Sequence, residues 1–263
     1  MNLFFDAIAW IVNPANWVPG ATSPLPLQER IAEHLLYTFL AVAIAALIAL
    51  PLGFYIGHTG RGRQFVIGFT GAMRALPTLG VLFFLTMVLG NVIRGTAGVF
   101  IGTMIALVIL AIPSILAGAY AGLESVSRQT IDAARANGMT EMQILTRVEI
   151  PLALSLIVGG LRAGVLQVIA TAVIASYAGL GGLGRVISSG IGLNDYDRIL
   201  GGAILVTVLA LLVDGVFALV QRLTRVPGTG SVAGRSEDQQ LRRRAPRPAT
   251  AVGTPIREGN FTA

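Results

Sequence analysis

The 263-residue sequence has no cysteine and no lysine, and its 19 basic residues are all arginines. Without cysteine the chain can form neither disulfides nor thiolate metal sites. Its two histidines, His34 and His58, lack the H-x-x-x-H spacing that is typical of zinc sites. The sequence therefore predicts no metal site.

The absence of lysine excludes a conventional ATPase, because a P-loop needs its lysine on the β- and γ-phosphates. If this chain takes part in ATP-driven work, the motor is another polypeptide. The apolar runs also contain no paired histidine and acid and no metal-ligand spacing. We therefore expect neither a catalytic residue nor a cofactor in this chain.

Charge is scarce as well. Only 12% of the residues are charged and 54% are hydrophobic, with a mean hydropathy of +0.75. Soluble domains carry about 25% charged residues, so the composition indicates an integral membrane protein. The net charge of +6 does not indicate nucleic-acid binding, because the arginines lie at membrane edges and in the C-terminal tail, where topology explains them.

The apolar runs predict an all-α protein with five membrane spans, each near the ~20 residues needed to cross a bilayer. The predicted spans are residues 35–57, 65–90, 98–120, 152–177 and 199–220. Arg74 and Pro77 interrupt the second span, and Pro113 is expected to kink the third. Residues 1–30 are predicted to form an interfacial segment and loop, residues 31–226 the membrane domain, and residues 227–263 a disordered tail.

A long polar interval, residues 124–151, separates the third and fourth spans. Ser127 can cap a helix that runs to Arg135, and Gly138 suits the left-handed turn after it. Thr140 has capping-box spacing to a glutamine and opens a second helix, and Pro151 begins the next apolar run. The interval therefore predicts a helix-turn-helix, either packed on its own bundle or docking a soluble partner.

This interval resembles the cytoplasmic EAA loop of permease subunits of ATP-binding-cassette importers. The family pattern is Glu-Ala-Ala, three residues, Gly, nine residues, Ile, one residue, Leu-Pro. The chain matches every spacing with Asp132-Ala133-Ala134, Gly138, Val148 and Ile150-Pro151, and departs by Asp for Glu, Val for Ile and Ile for Leu. The resemblance implies that the loop couples to an ATPase subunit through Asp132, Ala133, Ala134, Gly138, Met139, Ile150 and Pro151.

More of the chain is similar to the branch that imports glycine betaine, choline and related osmoprotectants. The similar pieces are residues 74–80, 149–154, 160–162 and 179–184. The resemblance implies the five-span core of a type I importer and a second permease subunit, identical or related. It also implies two ATPase subunits, which carry the ATP and Mg²⁺, and an external binding protein.

Four polar residues lie within apolar runs: Arg74, Arg162, Gln167 and Asp214. Intramembrane charges usually face a bundle interior or a cavity and are paired, so we expect Asp214 to pair with Arg162 or Arg74. Such a pair could fix helix packing or take part in substrate passage, and the sequence leaves both open.

A glycine-rich segment follows the fourth span, with Gly179, Gly181, Gly182 and Gly184. Its G-x-G-x-x-G spacing does not indicate a dinucleotide site, because a membrane span rather than a strand precedes it. In the importer family a similar segment follows the fourth span. The segment is therefore either an outer gate, together with Tyr177, or a simple turn before a helix near residues 185–191. Tyr177 and Tyr196 could touch a ligand or anchor the chain at the interface.

The arginine distribution favours a cytoplasmic coupling loop and C-terminus with the N-terminus outside, in a bacterial plasma (inner) membrane. We expect membrane lipid, but not nucleic acid, among the partners. Three alternatives stay open: a permease for methionine or another small organic solute, a channel or secondary carrier, and a membrane anchor that docks a signalling protein.

Overall fold

The structure is a computed structural model that describes residues 3–19, 25–93 and 95–224. The predicted tail at residues 227–263 and the side chain of Arg74 lie outside the described residues. Regular structure in the described part is helical throughout, as predicted. The α-helices are α1 Leu3–Val12, α2 Leu27–Thr59, α3 Arg63–Ala75, α4 Thr78–Val92, α5 Thr96–Glu124, α6 Arg128–Ala136, α7 Glu141–Ile144, α8 Ile150–Ala175, α9 Leu183–Leu193 and α10 Tyr196–Leu223.

Within the described ranges, four helical stretches are long and apolar enough to cross a membrane: α2, α5, α10 and the stretch Glu141–Ala178 that contains α8. The pair α3 and α4 makes a fifth if it is counted as one broken span, and its halves meet at 86°. The break falls where Leu76 is extended before Pro77, because a residue before proline avoids the α region.

The helices extend beyond the predicted spans. The first span is expected at residues 35–57, whereas α2 has 33 residues and runs from Leu27 to Thr59. Polar residues at both ends of α2 continue its hydrogen-bonded ladder beyond the apolar run. Hydropathy locates the part of a helix that lies in hydrocarbon, whereas helix length also depends on caps and on packing outside it.

The N-terminal segment is an apolar helix that packs on α10. A Cβ atom on Gly201 would lie 2.7 Å from the ring of Trp10. Trp17 follows in a short 3₁₀ turn, and its Nε1 donates to the carbonyl of Ile11 at 2.7 Å. The first residues of the described chain are therefore tied to the last membrane helix.

Helix α5 lies between α2 and α8 and forms the centre of the core. Of the 18 residues that form the most apolar part of α5, 56% are buried, whereas none of the 18 most apolar consecutive residues of α10 are. Glycines allow α5 and α8 to approach closely, since a Cβ on Gly118 would lie 2.5 Å from the Cα of Gly160. Small residues at such contacts drive helix association in membranes, where a hydrophobic effect between helices is missing.

This contact predicts that Gly118→Ala destabilises the protein by about 1–3 kcal/mol, because the added methyl group forces α5 and α8 apart. The matched control is Gly215→Ala in α10, whose Cβ would meet nothing within 4 Å. Thermal unfolding of both variants in the same detergent checks the prediction. Equal melting temperatures for the two variants would contradict it.

Candidate functional site

The loop between α5 and α8 has the caps that the sequence predicts. Ser127 Oγ accepts from the backbone N–H of Thr130 at 3.2 Å and caps α6. Thr140 and Gln143 form the predicted capping box, with both side chain-to-backbone hydrogen bonds present. Between the helices Gly138 has φ +81°, in the left-handed region that favours glycine. We call residues 124–151 the coupling loop, after the family loop that they resemble.

One face of the coupling loop is packed and the other is open. Val126, Ile131 and Ile144 form a buried cluster, against which Ala134, Met139 and Leu152 pack. On the other side the Asp132 side chain is 70% exposed and Met142 is 68% exposed. Ala133 and Gly138 are also exposed. The loop is thus packed on its own bundle and still presents a surface to a partner.

Pro151 lies at the start of the apolar helix α8, but the second helix of the loop does not end before it. Helix α7 continues through a π-helical turn, Leu145–Glu149, directly into α8. Pro151 occupies the first turn of α8, where its missing N–H and its ring are tolerated because the wider π turn precedes it. An unbroken helical stretch therefore joins α7 to α8.

The π turn buries a carboxylate. Glu149 is 2% exposed, and its Oε2 lies 2.5 Å from Nδ1 of His58, near the C-terminus of α2. The other ring nitrogen, Nε2, lies 3.5 Å from Oε2 of Glu141 in α7. His58 therefore joins the end of the first long helix to two points of the coupling loop.

The sequence pattern indicates no role for Glu149, and for His58 only a metal-ligand role that its spacing does not favour. The available signal was a lone carboxylate between Val148 and Ile150, since a charge at an apolar position is seldom buried without a partner. The distant partner could not be found from the sequence, because 91 positions separate the two residues.

Charged side chains on the open face extend this network. Arg135 donates to both carboxylate oxygens of Glu141 at 2.8 and 3.1 Å, and to Asp132 at 3.0 Å. The hydrogen bonds from Arg135 lower the pKa of Glu141, and those same bonds raise the pKa of Arg135. The pair is therefore fully charged near neutral pH and is lost only as the pH falls through the lowered pKa of Glu141.

Loss of the buried contact is expected to destabilise the junction. Glu149→Ala should lower the free energy of unfolding by about 2 kcal/mol, since it removes the buried carboxylate that contacts Nδ1 of His58 and leaves that partly buried nitrogen without this partner. The matched control is Glu124→Ala, which removes an exposed ion pair with Arg63 and should cost less than about 1 kcal/mol. Chemical denaturation of the detergent-solubilised variants measures both. A loss for Glu149→Ala no larger than for Glu124→Ala would contradict the assignment.

The structure pairs two of the four polar residues predicted within the membrane. Arg162 of α8 donates to Asp214 of α10 through Nε at 2.5 Å and Nη2 at 2.6 Å. Its Nη1 also reaches Gln221 at 3.4 Å. Such a bidentate arrangement is among the strongest hydrogen-bond geometries between an arginine and a carboxylate. Gln167 is not part of it and instead lies 3.5 Å from the hydroxyl of Thr171, one turn along α8.

The glycine-rich segment is a turn followed by a helix. The helix, α9 Leu183–Leu193, is longer at both ends than the expected helix near residues 185–191. Gly179 and Gly182 have positive φ angles, while Gly184 lies in α9 against α8, where a Cβ would be 2.3 Å from the carbonyl oxygen of Val173. Gly181 packs against Glu33 of α2. The segment therefore connects α8 to α9 and packs closely against α2 and α8.

The two tyrosines considered as ligand contacts are both at the surface. Tyr177 is 50% exposed and Tyr196 is 64% exposed. They lie near the ends of α8 and α10 that are opposite the coupling loop. Tyr177 borders a shallow depression with Arg185 and Ser188, and neither tyrosine belongs to the larger cavity at this end.

Residues 49–226 match the protein family described as "Binding-protein-dependent transport system inner membrane component". The chain is 38% identical to the carnitine transport permease protein OpuCB of Listeria monocytogenes, over 71% of this chain and 82% of that protein. It is 34% identical to the glycine betaine/carnitine/choline transport system permease protein OpuCB of Bacillus subtilis (strain 168), over 74% of this chain and 87% of that protein.

The fold is similar to that of a solved chain of the MetNI methionine ABC transporter in an inward-facing conformation. The TM-score is 0.66, with 21% sequence identity, and the match covers 76% of this chain and 96% of that chain. At this identity the likeness concerns the fold alone.

Proposed function

Since the chain belongs to the family of binding-protein-dependent transport system inner membrane components, we propose that it forms the membrane pathway of an ATP-driven importer of quaternary ammonium solutes. Solutes of this class include glycine betaine, carnitine and choline, and the names of the chain's relatives mention these solutes. The observation that supports the proposal is the coupling loop, whose two helices are capped and which is exposed on one face.

We infer that the open face of the coupling loop docks a separate ATPase subunit, which would bind the ATP and Mg²⁺. Its exposed side chains, Asp132 and Met142 among them, offer one charged and one apolar contact. Interfaces commonly combine an apolar anchor with a polar rim. This chain would then couple and conduct, and would catalyse nothing itself.

A displacement imposed on the coupling loop has two routes into the membrane domain. One is the unbroken helical stretch from α7 through the π turn into α8. The other is the contact of Glu149 with His58, which reaches α2. Because both elements move with the loop, ATP-driven approach of two motor subunits would tilt α8 and α2 together. Rigid elements with discrete arrangements can carry such coupling.

The proposed complex contains a second permease subunit, two ATPase subunits and an external binding protein that delivers the solute. The coupling loop and C-terminus would face the cytoplasm and the N-terminus the outside, as the distribution of arginines supports. Lipid would cover the apolar side chains of α10 that no other subunit contacts, such as Leu211, Leu212 and Val216.

Reconstitution tests the proposal. Proteoliposomes that contain this chain with its ATPase and binding protein should accumulate labelled glycine betaine, carnitine or choline only when ATP is supplied. Vesicles loaded with ADP serve as the control. ATP-dependent uptake of methionine without uptake of any quaternary amine would leave the importer in place and overturn the solute class. Uptake that needs no ATP would overturn the importer in favour of a channel or secondary carrier.

A further inference from the structure

A cavity of about 610 Å³ opens at the end of the bundle opposite the coupling loop. It lies between α2, the first turn of α5 and the turn that follows α8. Its lining is largely apolar, and it includes Tyr37, Val99, Phe100, Leu180 and Gly181. Its size falls within the range of about 300–1,000 Å³ that small-molecule sites occupy.

Two aromatic rings form one corner of this cavity. The centroids of Tyr37 and Phe100 are 5.8 Å apart, and their planes are inclined at 66°. Tyr37 comes from α2 and Phe100 from α5, so the corner depends on the packing of these two helices. The π faces of aromatic rings attract cations within about 6 Å, and quaternary ammonium groups are the ligands that paired rings recognise.

A carboxylate lies behind the wall of the same cavity. Glu33 is one helical turn before Tyr37 on α2, and its Oε2 accepts from the backbone N–H of Gly182 at 2.8 Å. A Cβ on the lining residue Gly181 would lie only 2.5 Å from this oxygen. A glycine at position 181 therefore lets the carboxylate approach the cavity more closely than any other residue would.

Glu33 also pairs with Arg30, whose Nη1 lies 3.0 Å from the same Oε2. The two side chains differ in access, since Arg30 is 8% exposed and Glu33 is 27% exposed. The guanidinium of Arg30 is thus buried, while the carboxylate of Glu33 is partly exposed.

We propose that this cavity binds the quaternary ammonium group of the imported solute, with Tyr37 and Phe100 as cation–π walls and Glu33 as the nearby negative charge. The assignment rests on the proposed function and adds a contact site within the permease itself. It places substrate recognition at the mouth of the pathway, at residues that neither the coupling loop nor the intramembrane ion pair includes.

The test compares a cation with its neutral shape-mimic. Binding of choline and of 3,3-dimethyl-1-butanol, in which carbon replaces the quaternary nitrogen, is measured on the purified permease–ATPase complex without the binding protein. The wild-type complex should prefer choline. Phe100→Leu keeps an apolar side chain but removes the ring, so choline binding should weaken by roughly threefold to thirtyfold with little change for the neutral mimic.

Tyr37→Phe retains a ring and should keep the preference for choline, whereas Tyr37→Leu should lose it. The control is Phe65→Leu, which removes a ring that is 72% exposed and stacks on Phe69 of the same helix, α3, rather than at the cavity. Because Phe100 is itself 38% exposed, its substitution should leave the fold intact.

Two failures can be told apart. If the wild-type complex binds choline no better than its mimic, or if Phe100→Leu keeps the full preference, the cavity assignment is overturned while ATP-dependent choline uptake in proteoliposomes still supports the importer. If no quaternary amine is taken up even with the binding protein present, the solute class fails and the cavity assignment fails with it.

Discussion

Gly138→Val is expected to stop transport while leaving the chain inserted and folded. The φ angle of Gly138 is +81°, and a Cβ there would meet nothing within 4 Å. The substitution therefore creates no clash with its surroundings and acts through the backbone alone. A left-handed conformation costs an L-residue about 1–2 kcal/mol, and a β-branched side chain is a still poorer fit there.

Such a cost shifts the population of the native turn by roughly fivefold to thirtyfold or more. The turn sets the angle between α6 and α7, so its loss misplaces the open face of the coupling loop. We expect ATP-dependent uptake to fall by at least about fivefold, in line with that shift, at an unchanged level of the chain in the membrane.

Gly138→Asn is the matched control, because asparagine tolerates the left-handed region better than other non-glycine residues. It should retain most of the transport activity. Uptake and membrane level are measured for both variants in the same cells. Full uptake with Gly138→Val would show that the turn does not matter for coupling, and equal loss with both variants would point to the removal of glycine itself rather than to the φ angle.

Asp214→Asn is the second change with a large expected effect. In the wild type the Arg162 guanidinium donates to both carboxylate oxygens of Asp214. The substitution leaves this guanidinium without a negative partner in an apolar run. Removal of one member of an ion pair away from water is much more damaging than removal of both. We expect the amount of chain in the membrane to fall severalfold.

The double variant Arg162→Gln/Asp214→Asn separates the two roles that the sequence left open. Since it removes both charges, it should restore the membrane level if the pair serves packing. Uptake measured at matched levels then decides whether the charges also take part in substrate passage. If Asp214→Asn alone accumulates and transports like the wild type, the ion pair has little importance for either role.

Much of the fold follows from the sequence because the signals are local. The caps at Ser127 and Thr140 and the turn at Gly138 depend on residues within three or four positions of each other, and the structure contains all three. The Arg162–Asp214 pair was also predictable, since few partners are available to a charge in an apolar run.

Other features depend on distant parts of the chain and gave no local signal. The contact between His58 and Glu149 joins the end of α2 to the coupling loop, and the corner formed by Tyr37 and Phe100 needs α2 and α5 to pack side by side. The continuation of α7 into α8 was missed for another reason. A proline usually marks a boundary, but a preceding π turn accommodates it.

Site-specific photocrosslinking from the coupling loop tests the central claim most directly. A photoreactive amino acid at Met142, which is 68% exposed, should capture the ATPase subunit in intact membranes. The same amino acid at Tyr177, which is 50% exposed at the opposite end, should not. Capture of the ATPase from Met142 alone is the predicted result, and capture from Tyr177 alone, or from neither position in a transporting complex, would contradict the account.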